Sequence, residues 1–168
     1  GPGSGGGGGG GGDTSSGGVN PLAATMVGHW NHVAIDTSGL DHSSAGAKEN
    51  LGPTKASRAM AIVHIAIYDA IQAIQQKYEP YLPQDPAPAD ASVDAAVARA
   101  AHDTLVALYP SQTAEFEKQL TEDLAKIDDG DSKDQGIEAG RKAAEAILAD
   151  RAADGAQALD QSDPYVFI

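Results

Sequence analysis

The chain has 168 residues, with 24 acidic against 11 basic side chains, a formal net charge of -13, and no cysteine. That balance repels phosphate backbones and anionic membranes and offers no basic cluster for counterion release, which argues against nucleic-acid binding. The missing cysteines remove disulfides, thiolate nucleophiles and sulfur metal ligands, and leave the compartment open.

Residues 1–4, Gly-Pro-Gly-Ser, read as the scar of a protease and cloning site. Residues 5–20 form a Gly/Ser tether too poor in apolar side chains to order itself. It is either a designed linker or the natural spacer behind the lipid-modified cysteine of a bacterial lipoprotein. In the second case the protein is periplasmic or otherwise extracytoplasmic.

Residues 21–158 are expected to form one helical domain, followed by a C-terminal tail over 159–168. A first helix spans Leu22 to Ile35 and carries Trp30 and two histidines, until Asp36-Thr-Ser-Gly39 halts it. Leu40 to Pro53 reads as a loop. A long helix then occupies about residues 55–77, ended by Glu79-Pro80, and a proline-stiffened connector follows. Ser92 caps the next helix, with the stripe Val93, Val97, Ala100, Ala101, Thr104, Leu105 and Leu108. Ser111 is expected to cap a helix bearing Phe116, Leu120, Leu124 and Ile127. Ser132 with Gln135 forms a capping box for the last, whose stripe includes Gly140, Ala144 and Ile147. Strand signals are nearly absent, so the class is all-α, a bundle of about five helices around a central apolar helix at about 55–77.

That central helix, Ser57 to Ile74, has Met60, Val63, Ile67, Ala70, Ile71 and Ile74 on one face and Ile62, Ala66 and Ala73 on another. Only Arg58, His64, Tyr68, Asp69 and Gln72 interrupt its apolar surface. Such a helix needs cover on nearly all sides, more than the rest of the chain offers. Its charges also rule it out as a membrane span, so the folded domain is not expected to insert.

Several motifs in order resemble one pattern. They are Trp30-Asn31, Ser57-Arg58 through Tyr68-Asp69-Ala70, Tyr78 with Tyr81, Leu105 to Pro110, Ile127-Asp-Asp-Gly130 with Lys133 and Gly136, and Arg151 to Gly155. The chain resembles the N-terminal helical half of bacterial vanadium-dependent haloperoxidase-like proteins, which share a fold with type 2 phosphatidic-acid phosphatases. The resemblance implies peroxide-dependent halide oxidation at bound vanadate, or phosphoester hydrolysis, for a complete protein. It also implies an oxyanion site built from a Lys, Arg-Pro, Ser-Gly-His and Ser-Arg-x5-His.

This chain has no Arg-Pro and no Ser-Gly-His. A highly charged oxyanion needs several converging cations and N–H donors, so no catalytic residue and no cofactor site is expected in this segment. Ser57-Arg58 and His64 do match Ser-Arg-x5-His formally, which makes Arg58 and His64 an oxyanion candidate. On a continuous helix, however, the two project roughly 120° apart, and Asp69 falls one residue later than the family's Asp. The preferred reading is structural, with Arg58 and Asp69 each finding a polar partner.

His29 and His32, at i and i+3, form a weak metal candidate that lacks a sure third ligand. His42 in a loop and His102 on a polar helix side are read as solvated. The acidic run Asp128 to Asp134 misses the calcium-loop register and reads as a capped turn. Acidic residues of the last helices form a solvated shell, and no nucleophilic triad is supported.

Two functions follow. The first is a structural N-terminal half without an oxyanion site of its own, whose partner is a missing C-terminal helical half; self-association through the central helix would cover the same surface. The second is a self-standing acidic helical module that binds another protein. The ending Asp163 to Ile168 is apolar enough to dock on the bundle or to mark a connection to a second half.

Overall fold

The computed structural model describes residues 21–156, and the tether, the tail over 159–168 and residues 157–158 lie outside them. Five α-helices are present among the described residues, with no strand: α1 Pro21–His42, α2 Pro53–Gln75, α3 Val93–Leu108, α4 Thr113–Ala125 and α5 Asp131–Arg151. A single 3-10 turn, Pro110–Gln112, joins α3 to α4. None of these helices is long and apolar enough to cross a membrane.

The helix that touches all four others is α3, while α2 packs against α1, α3 and α5. Its sequence explains the position. Ala95, Ala96, Ala98, Ala100 and Ala101 are buried with Val97 and Leu105, and small side chains let neighbouring backbones approach closely. The cap at Ser92 is as expected, its Oγ accepting the Ala95 N–H at 3.2 Å.

α5 answers with glycine. A Cβ on Gly140 would stand 2.4 Å from the Ala96 carbonyl oxygen, and one on Gly136 2.2 Å from that of Ser92. Both glycines are therefore imposed by contact with α3.

Four local expectations are corrected. Asp36-Thr-Ser-Gly39 does not halt the first helix, because tertiary contacts carry it on to His42. Asp41, fully buried, accepts the N–H groups of Glu49 and Asn50 at 2.7 and 2.9 Å. His42 belongs to this helix rather than to a loop; Nδ1–H donates to the Ser38 carbonyl and Nε2 accepts the Gly52 N–H.

Ser111 does not cap α4. It lies in the 3-10 turn, donating its hydroxyl to Glu49 at 2.8 Å. Nor does Ser132 form a capping box, since α5 starts at Asp131 without a side-chain cap. Its hydroxyl donates to the Asp90 carbonyl and its own carbonyl accepts the Ser92 N–H, tying α5 to the approach of α3.

α2 ends at Gln75, where Gln76 turns left-handed with φ 49° and donates its N–H to Gln72. The chain then returns along α2 as a strap. Asp69, fully buried, accepts the N–H groups of Tyr81 and Leu82 at 2.6 and 3.0 Å, and Gln72 accepts that of Tyr78 at 2.8 Å. Replacing Asp69 by alanine leaves two half-buried donors without partners, at roughly 1–3 kcal/mol for each unmet group, moderated by water entry. The expected result is a loss of about 2–3 kcal/mol in urea unfolding, read from a lower midpoint at an unchanged slope.

Candidate functional site

At 100° per residue, Ser57, Ala61, His64, Tyr68, Ile71 and Gln75 fall on one side of α2. This is the side the bundle leaves open. Ser57, Ala61, Tyr68 and Gln75 are exposed, and His64 and Ile71 are only half-buried. The remaining faces of α2 are closed by Ile62, Val63, Ala66, Ile67, Ala70 and Ile74, none more than 3% exposed.

The open stripe forms one wall of a shallow groove of about 640 Å³. Val27, Gly28 and Asn31 of α1 face His64, Ile71 and Gln75 of α2 across it. One polar link crosses the floor, from His64 Nε2–H to Asn31 Oδ1 at 3.0 Å.

Charge separates this surface from the rest. Between Thr25 and Ile35, and along the whole of α2, the only carboxylate is the buried Asp69. The exposed acids of the helices beyond α3 lie on α4, α5 and the turn between them, including Glu115, Glu122, Asp129, Asp131, Glu138 and Asp150. None of the residues lining the groove, which Val93 of α3 completes, is acidic.

Arg58 and His64 are not brought together. Arg58 Nε donates to Asp154 Oδ2 at 2.6 Å and its Nη2 to the Arg151 carbonyl at 2.9 Å, fastening the end of α5 to α2. His64 turns to Asn31. With the guanidinium committed to Asp154, whose carboxyl it holds below the usual carboxylate range, these residues do not converge on an oxyanion. Arg58 and Asp69 thus both find partners inside this chain.

His29 and His32 also part. His29 Nε2 lies 3.2 Å from the buried Asp123 Oδ2, though outside hydrogen-bond alignment, and His32 is exposed. Among the described residues no three of His, Asp and Glu are arranged to hold a metal ion.

His102 corrects the sequence reading. It is 6% exposed rather than solvated, with Nδ1 2.7 Å from Asp103 and Nε2 3.1 Å from Glu117 but out of hydrogen-bond alignment with it. Burial pushes the Asp103 carboxyl up, but hydrogen bonds to His102 and Arg99 outweigh it and hold the group below the usual range. This network joins α3 to α4 and stands apart from the groove.

Sequence reasoning identified His64 and the excess of apolar surface, but missed Asn31 as its partner and Gly28 as part of the wall. A glycine inside the helical pattern of α1 was the available signal.

No curated protein and no solved structure matches the chain. The family model of the vanadium chloroperoxidase N-terminal domain matches residues 22–149, taking in the groove, the strap and most of α5. The chain belongs to that family.

Proposed function

We propose that this domain is the N-terminal helical scaffold of a vanadium-dependent haloperoxidase-like protein, and that its work is to dock a second helical part carrying the oxyanion ligands. The observation that carries this reading is the α1–α2 surface. In a strongly acidic chain, the open stripe from Ser57 to Gln75 has no carboxylate and keeps Ile71 and Tyr68 in partial contact with water. Acid on the outer helices and none on one face is how a surface behaves when that face is buried in the complete molecule.

The family description adds direction, since it names an N-terminal domain. Vanadate, when bound, supplies the centre at which peroxide oxidises halide. The two residues that match the oxyanion motif are engaged elsewhere, Arg58 with Asp154 and the Arg151 carbonyl and His64 with Asn31, which supports a scaffold role. This domain therefore supports the site without lining it. A bacterial, extracytoplasmic location on a lipid tether accompanies the reading and rests on the glycine run of residues 5–12.

Equilibrium dialysis against vanadate tests the assignment. The 168-residue chain should retain none above background, whereas the longer protein retains about one equivalent per molecule. Stoichiometric retention by the short chain would sink the reading.

A further inference from the structure

The helix-interior glycines of this fold are of two kinds. Gly136 and Gly140 lie so close to the α3 backbone that a methyl group would collide with it. Gly28 has no such neighbour. A Cβ built there meets nothing within 4 Å, yet glycine inside a helix is less favourable than alanine, so nothing among the described residues gives a reason for it. Gly39 is equally open, but it lies in the last turn of α1 and does not line the α1–α2 groove.

Gly28 also stands in a particular place. It lines the α1–α2 groove beside Val27 and Asn31, opposite His64 and Ile71, on the surface without carboxylates. An open glycine on an uncovered apolar groove has the same form as Gly140 before α3 is laid against it. We propose that Gly28 is the crossing point for a helix from the second helical part proposed above, seated along the α1–α2 groove. The inference rests on the docking function argued above and goes further by naming the contact and the shape of the occupant.

A helix suits the groove better than an extended segment. Both walls are α-helices whose interior N–H and C=O groups are already paired, so they offer an incoming strand no backbone partners. A helix brings its own backbone bonds and presents only side chains. Close approach at a glycine is the device by which helices pack at short axial distance. The absence of carboxylates on both walls selects an occupant face that is apolar and uncharged, since a buried lysine or arginine would find no counter-charge there.

The test uses the 168-residue chain, the proposed second helical part, and titration calorimetry. Gly28→Ala should raise the melting temperature of the chain alone and still weaken binding about tenfold, a split that a purely structural glycine would not produce. Gly28→Leu should keep the chain helical by circular dichroism and weaken binding more than about 100-fold, and Gly39→Ala should leave binding unchanged. Wild-type affinity in both Gly28 variants overturns the groove assignment and leaves the docking function standing. Failure of the unaltered chain to bind removes the docking function itself, and dimerisation of the chain through Gly28 with unchanged partner binding identifies a second copy as the occupant and likewise overturns the proposal.

Discussion

Gly140→Ala is expected to destabilise the domain by about 2–3 kcal/mol, lowering the melting temperature by on the order of 10 °C. Two effects compete at this position. Alanine improves helix propensity by roughly 1 kcal/mol. Against that, the new Cβ would sit 2.4 Å from the Ala96 carbonyl oxygen, 2.8 Å from the Arg99 Cβ and 3.0 Å from the Ala100 nitrogen. Two of these are backbone atoms in the middle of a buried helix, so relief requires α5 to move away from α3, opening the most extensive helix contact among the described residues. Overpacking of this kind costs roughly 1–3 kcal/mol or more, and the steric term wins.

The same reasoning predicts that Gly136→Ala and Gly140→Ala are less than additive. Once α5 has shifted to accommodate one methyl group, the second meets a wider gap. Thermal and urea unfolding of the two single variants and the double variant measure this directly. A stabilised Gly140→Ala would show that α3 and α5 are not in the close contact described, and Gly28→Ala provides the opposite sign from the same chemical change.

What was legible in the sequence followed local rules. The hydrophobic period placed all five helices, because Phe116 with Leu120 and Val97 with Leu105 repeat at helical spacing and end up buried. Ser92 was readable as a cap, and Gly140 as a packing glycine, because each acts within one helix or against its neighbour. The failures share a different cause. Asp36-Thr-Ser-Gly39 carries every local signal for a helix end, but Asp41 just beyond it is drawn inward to hold the N–H groups of Glu49 and Asn50, and the helix continues. Ser111 and Ser132 spend their hydroxyls on Glu49 and Asp90, partners 62 and 42 residues away. Long-range hydrogen bonds of this kind leave no periodic trace. The groove was half legible: the surplus apolar surface of α2 was evident from its helical wheel, whereas its pairing with the Gly28 and Asn31 side of α1 depended on how the two helices lie together.

A carboxylate placed on the open stripe should separate folding from assembly. Ala61 is exposed at the centre of α2, between Ser57 and His64 on the uncovered side. Ala61→Glu therefore adds a solvated charge to the isolated domain, where surface changes usually shift stability by less than about 0.5 kcal/mol. In the docked state the same carboxylate would be buried where α1 and α2 supply no free counter-charge, a situation that costs several kcal/mol. At about 1.4 kcal/mol for each factor of ten, binding to the proposed second helical part should fall by more than about 100-fold. Ala125→Glu, the same change on the acidic outer surface of α4, adds equal net charge and should leave affinity within about twofold, which removes general repulsion as an explanation. If both variants bind alike, the carboxylate-free face is not the docking surface; if only Ala61→Glu fails while its unfolding midpoint is unchanged, the stripe along α2 is where the two parts of the molecule meet.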